Sequence, residues 1–303
     1  MRILSIGECM VEISSAKDDN YNLNFAGDTA NTCIYLSRFG AKTSYLTSVG
    51  NDSLSKKLIN FLKKENISTD MININNNKSI GLYVIENDSK GEREFFYWRS
   101  NSAAKTLFEN IDIKKYINTF KKFDAVYFSG ITLSIYDNKN LHILFNFLRN
   151  LKKHNIKIFF DLNIRLKNWK NISFAKKIIK KFSCLCDTIF ISKDDLKSLQ
   201  IDKINIFINK FSNKSDILFR KGNGAIEFFQ NKKTYKYKVN LIKKVLDTTG
   251  CGDAFNASFI FNFLNNHKIS KIIKSSHKLG KNVAMTKGAI LSKKEFKIKD
   301  YAI

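Results

Sequence analysis

One nine-residue stretch constrains this chain more than any other. It lies at residues 247–255 and reads DTTGCGDAF. A short β-like run precedes it, and an apolar run typical of a buried helix follows it. Because glycine has no Cβ, Gly250 and Gly252 let the backbone turn tightly and direct N–H groups at an anion near the positive end of that helix. The stretch therefore predicts a phosphate-binding turn at a helix N-terminus.

Asp253 lies at the mouth of the same predicted helix. A carboxylate there can take the proton of a hydroxyl while the turn neutralises charge on a transferring phosphoryl group. The local pattern has a second interpretation, because ordinary turns and helix caps also use glycine and aspartate. The pairing of this carboxylate with the phosphate-binding turn suggests a phosphotransferase in which Asp253 is the catalytic residue.

Length and composition favour a single large α/β domain over residues 1–303. Apolar residues make up 44% of the chain, yet none of the apolar runs is long enough to cross a bilayer. We expect a cytoplasmic protein that has no membrane partner. The five cysteines have no C-x-x-C spacing, and the histidines do not cluster near Cys184 and Cys186. Reduced thiols are the expected state.

The formal net charge of +25 raises the alternative of a nucleic-acid-binding protein. Its lysines are spread from end to end on predicted helix faces, and the sequence contains neither a continuous basic stripe nor an aromatic stacking pattern. We expect no nucleic-acid partner. The charge should instead raise the local concentration of anionic substrates.

Polar residues follow the ends of several predicted buried strands, which is the pattern of an open parallel sheet. These strands are at residues 2–6, 124–128, 157–161, 187–191 and 216–220. Amphipathic helices are predicted between them, for example at 53–64 and 141–153. The predicted fold class is α/β, with a central, mostly parallel sheet flanked by helices and with ligands at the carboxyl ends of its strands.

Two further strands are predicted at residues 80–85 and 94–99, joined by a turn at 87–91. This hairpin interrupts the alternation of strands and helices, so we expect it to leave the main sheet. With residues 10–26, the segment 80–100 would form a small β lid. Alternation places Tyr97 and Arg99 on one face, where a guanidinium can hold a substrate carboxylate. A cross-strand aromatic contact with an ion pair is the alternative.

Residues 25–32 supply a second candidate for substrate contacts. Gly27 permits close backbone approach, and Asp28 and Asn31 share a helix face from which they can clamp sugar hydroxyls. The alternative is that Asp28 caps the helix and Asn31 is an ordinary residue of its first turn. His277, on a helix predicted at 270–287, is a candidate for an adenine contact or a surface residue.

The order of residues 247–255 resembles the C-terminal signature of the ribokinase-like (PfkB) carbohydrate kinases. Further matching segments are IGECMVEI at 6–13, AGDTANT at 26–32, GLYVIE at 81–86, FYWR at 96–99, AAK at 103–105 and DLNIRLKNW at 161–169. The segments at 81–99 resemble the branch of this family that phosphorylates 2-keto-3-deoxygluconate. Ala26, Leu166 and residues 192–195 depart from the family pattern, and we expect these departures to reduce rigidity rather than to abolish the chemistry.

The resemblance implies an ATP-dependent kinase that phosphorylates 2-keto-3-deoxy-D-gluconate at its C6 hydroxyl. It implies Asp253 as base and an anion hole made by Gly250, Cys251 and Gly252. The implied sugar-acid contacts are Gly27, Asp28, Asn31, Tyr83, Tyr97, Arg99, Arg165 and Asp253. The implied nucleotide contacts are Asn163, Arg165, Ser192, Lys221, Gly222, Gly224, Thr248, Gly250, Gly252 and His277. Mg²⁺ would bridge the phosphates and retain water, without a direct protein ligand.

Two alternatives to this activity stay open at the level of sequence. Another PfkB sugar kinase, such as a fructokinase or ribokinase, shares the phosphate-handling residues. A sugar-sensing protein without turnover would also retain the fold. A homo-oligomer and a requirement for a monovalent cation are compatible with the resemblance, and the sequence does not decide either.

Overall fold

The computed structural model describes residues 1–15, 20–87, 93–109, 117–211, 214–241 and 245–303. The helices, numbered α1 to α10, are Asp28–Arg38, Ser53–Lys64, Ile117–Phe120, Gly130–Ser134, Asn138–Lys153, Ile172–Ser183, Lys193–Ser198, Ile204–Phe211, Cys251–Leu264 and Ile269–Ala284. The strands, numbered β1 to β14, are Arg2–Ile6, Met10–Ser15, Tyr21–Ala26, Lys42–Val49, Ile67–Ser68, Ile72–Ile74, Leu82–Asn87, Arg93–Trp98, Ala125–Ser129, Lys157–Asp161, Thr188–Ser192, Asp216–Arg220, Ala225–Gln230 and Lys233–Lys238.

The main sheet of the described chain has ten strands in the order β14-β13-β12-β11-β10-β9-β1-β4-β5, and β6 pairs with β4. Strands from β12 to β5 are parallel, whereas β13 and β14 run antiparallel at one edge. The central strands are buried on both faces, which is why they consist of nearly continuous apolar runs. The predicted α/β fold class is confirmed.

Successive residues of each central strand point to opposite faces of the sheet, and each face is covered by its own helices. Phe160 packs in a cluster with residues of α5 and α6. Its neighbour Phe159 packs in a second cluster with residues of α1, α9 and α10. The alternation of two adjacent phenylalanines therefore separates the two halves of the core.

Helix α9 lies within the second of these clusters and is buried on most of its circumference. Nine of its residues are buried, and the buried set includes Asn256 and Asn262 as well as apolar side chains. A helix that is apolar on most sides must be enclosed by neighbours, and α1 and α10 are its neighbours. The β-like run expected before residues 247–255 falls partly on residues 242–244, outside the described residues, while residues 239–241 and 245–246 lie outside any strand.

A second sheet of four strands has the order β3-β2-β7-β8. Strand β2 pairs antiparallel with β3 and parallel with β7, and β7 pairs antiparallel with β8. These strands lie within the segments 10–26 and 80–100, and their role as a lid stays a prediction. Most of the expected turn at 87–91 lies outside the described residues. Strand β8 ends at Trp98, so Arg99 lies just beyond the strand in which we expected it.

No helix in the described ranges combines the length and the apolar character that a membrane span needs. The assignment of all residues to one domain stays a prediction.

Candidate active site

The candidate site lies where the order of the main sheet changes direction. Strand β1 lies between β4 and β9, so the chain proceeds from β1 to both sides of the sheet. Ligands of open α/β sheets bind beyond the carboxyl ends of the strands at such a point. Helices α1 and α9 both begin here, and the Nδ2 atom of Asn31 donates a hydrogen bond of 2.8 Å to Oδ2 of Asp253. The structure thus brings together residues that are 222 positions apart.

The turn that opens α9 depends on the absence of a side chain at Gly250. This residue has φ of 74°, in the left-handed region, and a Cβ there would lie 2.6 Å from the carbonyl oxygen of Ala289. The carboxylate of Asp247 supports the turn by accepting hydrogen bonds from the N–H groups of Thr249 (2.9 Å) and Gly288 (2.7 Å). The tight turn predicted from the sequence is present, and its role in phosphate binding stays a prediction.

Of the three residues predicted as an anion hole, Cys251 and Gly252 differ in how their N–H groups are used. Gly252 and Asp253 belong to the first turn of α9, where backbone N–H groups have no acceptor within the helix. The N–H of Cys251, in contrast, donates to the carbonyl oxygen of Thr248 at 3.3 Å. Burial, and then the charges of Asp253 and Asp247, raise the pKa of the Cys251 thiol to about 12. The thiol is therefore protonated and weakly nucleophilic at neutral pH.

Asp253 is a buried carboxyl whose environment favours proton binding. Its pKa lies well above its usual range, first because of burial and then because of the negative charge of Asp28. The hydrogen bond from Asn31 opposes this rise. Within the described part of the chain, the Oδ1 atom of Asn31 is buried without a hydrogen-bond partner. An amide oxygen in that state can accept a hydrogen bond from a ligand hydroxyl.

Asp28 is not the cap of α1, because Gly27 occupies the capping position. A Cβ at Gly27 would lie 2.2 Å from the carbonyl oxygen of Glu8, so the close backbone approach expected there is present. The Oδ2 atom of Asp28 accepts a 2.8 Å hydrogen bond from Nδ2 of Asn163, which has φ of 31°. Asn163, a predicted nucleotide residue, therefore contacts the same carboxyl that raises the pKa of Asp253.

Two of the residues predicted to bind a sugar acid, Arg99 and Tyr83, are held by buried glutamates. Arg99 forms an ion pair with Glu8, which also accepts a hydrogen bond from Ser102. The hydroxyl of Tyr83 donates a hydrogen bond to Glu12. These partners fix the orientation of Arg99 and Tyr83 before any ligand binds.

Tyr97 connects this cluster to Arg165. Its ring centroid lies 5.7 Å from that of Tyr83. Desolvation raises the pKa of the Tyr97 phenol, and the positive charges of Arg99 and Arg165 oppose the rise because both lie nearby. The Arg165 side chain is exposed and donates a hydrogen bond to the carbonyl oxygen of Ile164 at 3.1 Å. The charges of two guanidinium groups thus act on one tyrosine.

A separate cavity of ≈ 290 Å³ brings together three of the predicted nucleotide residues, Gly222, Gly224 and His277. Gly222 and Gly224 have φ of 82° and 75°. The Nε2 atom of His277 lies 2.8 Å from the carbonyl oxygen of Asn240 and must donate to it. Val239, Leu241 and Phe255 give the cavity apolar walls, which suit a flat heteroaromatic ring.

The other predicted nucleotide residues have local partners in this structure. The Nζ atom of Lys221 lies 2.7 Å from Oε1 of Glu227. The hydroxyl of Ser192 caps α7 by accepting from the N–H of Asp195 and donating to its carboxylate. Thr248 is exposed. Contacts between these residues and a nucleotide stay predictions.

Sequence reasoning missed a polar network behind the anion hole. Arg220, at the end of β12, lies 3.4 Å from the carboxylate of Asp161 and from the carbonyl oxygen of Gly252. Asn256 donates hydrogen bonds to Asp161 (2.9 Å) and to the Tyr127 hydroxyl (3.2 Å). One signal for it was present in the sequence, because Asn256 is a polar residue within a nearly continuous apolar helix.

Comparisons with known proteins identify the family of this chain and its relatives. The family described as "pfkB family carbohydrate kinase" matches residues 1–295. The chain is 30% identical to a 2-dehydro-3-deoxygluconokinase of Haemophilus influenzae over 303 residues, covering 96% of both chains. It is 31% identical to the Dickeya dadantii protein of the same name, covering 95% of this chain and 96% of that one.

Two solved structures share the fold. A 2-dehydro-3-deoxygluconokinase from Thermotoga maritima superposes with a TM-score of 0.83 at 20% identity, covering 99% of this chain and 98% of that one. A fructokinase with bound ATP from Xylella fastidiosa superposes with a TM-score of 0.84 at 18% identity, covering 99% and 95%.

Proposed function

The chain belongs to the pfkB family of carbohydrate kinases, and we propose that it phosphorylates 2-keto-3-deoxygluconate, also called 2-dehydro-3-deoxygluconate, at the C6 hydroxyl with ATP. The observation that carries this proposal is the placement of Asp253, a buried carboxyl in the first turn of α9 whose Oδ2 atom is held by Asn31. The names of the relatives support the choice of substrate.

In the proposed reaction, Asp253 accepts the proton of the C6 hydroxyl. The hydroxyl oxygen then forms a bond to the γ-phosphorus of ATP, and the bond from that phosphorus to the β,γ-bridging oxygen breaks. ADP leaves with the electron pair of the broken bond. The N–H groups at the start of α9 stabilise the negative charge on the phosphoryl oxygens throughout the transfer. The products are the 6-phosphate of the sugar acid, ADP and one proton.

A sugar acid differs from a neutral sugar by its carboxylate, and Arg99 and Arg165 supply the matching charge. The charges of both arginines act on Tyr97, which supports the proposal that they lie close enough together to bind one carboxylate. A guanidinium can form two parallel hydrogen bonds with a carboxylate. Because Glu8 already orients Arg99, little side-chain entropy remains to be lost when the ligand binds.

The nucleotide and its metal ion fit the remaining parts of the site. The cavity beside Gly222, Gly224 and His277 would take the adenine ring. Among the described residues no group of three or more acidic, histidine or cysteine side chains could hold a metal ion. In the proposed complex, Mg²⁺ would be carried by the phosphates and would retain most of its water. When bound, Mg²⁺ neutralises charge on the β- and γ-phosphates.

The test is a measurement of ADP release over a panel of sugar acids and neutral sugars, with Mg²⁺ and ATP present. We expect the highest kcat/KM for 2-keto-3-deoxygluconate and identification of its 6-phosphate by NMR. Asp253→Asn serves as the control for contaminating kinases. A higher kcat/KM for fructose or ribose would replace the proposal with a neutral-sugar kinase. Binding of sugars without any ADP release would replace it with a sensing protein.

A further inference from the structure

The guanidinium group of Arg220 bridges the main sheet and the start of α9. Its Nη2 atom lies 3.4 Å from Oδ1 of Asp161, at the end of β10. Its Nη1 atom lies 3.4 Å from both the carbonyl oxygen of Gly252 and Oδ1 of Asn256. The group also lies over the ring of Phe255, with 5.5 Å from Cζ to the centroid. One side chain therefore contacts three residues of α9 and one strand of the sheet.

The three α9 contacts share one face of the helix, because Gly252, Phe255 and Asn256 are related as i, i+3 and i+4. A Cβ at Gly252 would lie 3.1 Å from Nη1 of Arg220, so the guanidinium packs directly against this glycine of the anion hole. From α1, Asn31 holds the intervening residue, Asp253. Two supports from different elements thus define how α9 is rotated about its axis.

Asp161 gives this arrangement a fixed anchor. Its side chain is only 4% exposed, and it accepts a hydrogen bond from Asn256, which in turn contacts Arg220. Burial raises the pKa of Asp161 to about 7, while the charge of Arg220 opposes the rise. An ion pair of this kind adds little net stability compared with apolar packing, so stability alone does not account for it.

We propose that Arg220 is a positioning residue for phosphoryl transfer, which holds the first turn of α9 so that the anion-hole N–H groups and Asp253 meet the phosphoryl group in the correct orientation. This inference rests on the function proposed above. A lysine cannot replace the guanidinium, because a single ammonium group lacks the planar fork that reaches Asp161 and α9 together. Arg220 also acts on Asp253 electrostatically, since its charge lowers the pKa of that carboxyl.

The first test compares kcat and KM for Arg220→Ala and Arg220→Lys with those of the wild type. We expect kcat to fall on the order of 10²-fold in Arg220→Ala, the size of loss that small displacements of reacting groups cause, with little change in the KM for the sugar acid. The kcat of Arg220→Lys should fall by a similar factor. Added guanidinium ion should restore part of the kcat of Arg220→Ala. The acid limb of the kcat/KM pH profile of Arg220→Ala should move to higher pH, because the charge that lowers the pKa of Asp253 is gone.

Arg38→Ala is the matched control, because Arg38 forms a comparably buried ion pair with Glu65 at 2.8 Å, away from the start of α9. It should lower thermal stability without lowering kcat and without rescue by guanidinium. An equal fall in kcat for Arg38→Ala and Arg220→Ala would overturn the inference. A folded Arg220→Lys with wild-type kcat would overturn it even where Arg220→Ala fails to fold.

A binding measurement separates this inference from the proposed function. ADP with Mg²⁺ and aluminium fluoride mimics the transferring phosphoryl group and needs no knowledge of the sugar. Aluminium fluoride should tighten ADP binding to the wild type and have at least tenfold less effect on Arg220→Lys. Equal tightening in both proteins would overturn the inference. Failure of the wild type to phosphorylate any sugar acid would contradict only the proposed function.

Discussion

The carboxyls of Asp28 and Asp253 lie on neighbouring helices, and the charge of Asp28 is the second cause, after burial, of the raised pKa of Asp253. Removing that charge in Asp28→Asn should lower the pKa of Asp253. The acid limb of kcat/KM, which reports ionisation of the base in the free enzyme, should therefore move to lower pH. An unchanged limb, or a move to higher pH, would contradict the coupling. Asp300→Asn, at the surface, is the control.

A second prediction at the residue scale concerns recognition of the substrate carboxylate. Arg99→Ala should raise KM for the sugar acid by roughly 10- to 100-fold, the value of charge-assisted hydrogen bonds, and leave kcat/KM for neutral sugars nearly unchanged. Because this change strands buried Glu8, the double variant Arg99→Met with Glu8→Gln is the matched test. Equal losses for acid and neutral sugars would count against a carboxylate contact.

Several predicted site residues do come together, but their pairings could not be predicted from sequence. Asp253 and Asn31 were each predicted from local motifs, whereas the hydrogen bond between them joins positions 222 apart. Arg99 was also predicted, whereas its ion-pair partner Glu8, 91 positions away, was not. A motif indicates which residues can do chemistry, and only the packing of distant elements determines which of them touch.

At the scale of elements, the start of α9 depends on Gly250. Gly250→Ala would combine a left-handed residue, costing roughly 1–2 kcal/mol, with a close contact to Ala289. This variant should lose more unfolding free energy than the left-handed conformation alone would cost, and it should also lose activity. Gly40→Ala is the matched control, since Gly40 has φ of 93° and a Cβ there meets nothing within 4 Å. Equal loss of unfolding free energy in the two variants, measured in urea, would show that the contact is harmless.

The buried strands and amphipathic helices were the predictable elements, because their apolar spacing is set by the faces they cover. Strand β3 was not predicted, although its apolar residues Tyr21, Leu23 and Phe25 alternate with asparagines. Four of its six residues are exposed and it forms the edge of the second sheet, so its apolar face is only partly covered. The start of α9 differs from the prediction for another reason. The helix begins at Cys251, within the stretch 247–255, because the turn residues are themselves its first helical residues.

At the scale of the whole molecule, a buried carboxyl with a raised pKa costs stability as pH rises. Between the unfolded pKa of about 3.9 and its higher folded pKa, Asp253 binds more protons in the folded state, so wild-type stability falls with pH in this window. Asparagine does not titrate. The unfolding free energy of Asp253→Asn minus that of the wild type should therefore increase from pH 5 upward, by at most about 1.4 kcal/mol per pH unit. The difference should level off above the folded pKa of Asp253.

Urea unfolding at several pH values between 5 and 8 measures this difference. Asp137→Asn is the control, because the pKa of Asp137 is shifted in the opposite direction. Hydrogen bonds from Asn140 lower it, so Asp137 does not titrate between pH 5 and pH 8. Its stability difference should stay constant from pH 5 to pH 8. A constant difference for Asp253→Asn as well would mean that Asp253 is already ionised in the folded protein at pH 5.

The most direct test of the whole account is the turnover of 2-keto-3-deoxygluconate by Asp253→Asn with saturating ATP and Mg²⁺. Because a general base supplies about 10² to 10⁴ of rate, kcat should fall at least about 10²-fold while the sugar acid still binds by calorimetry. A variant that retains kcat within a few-fold of the wild type would contradict the assignment of Asp253 as the base.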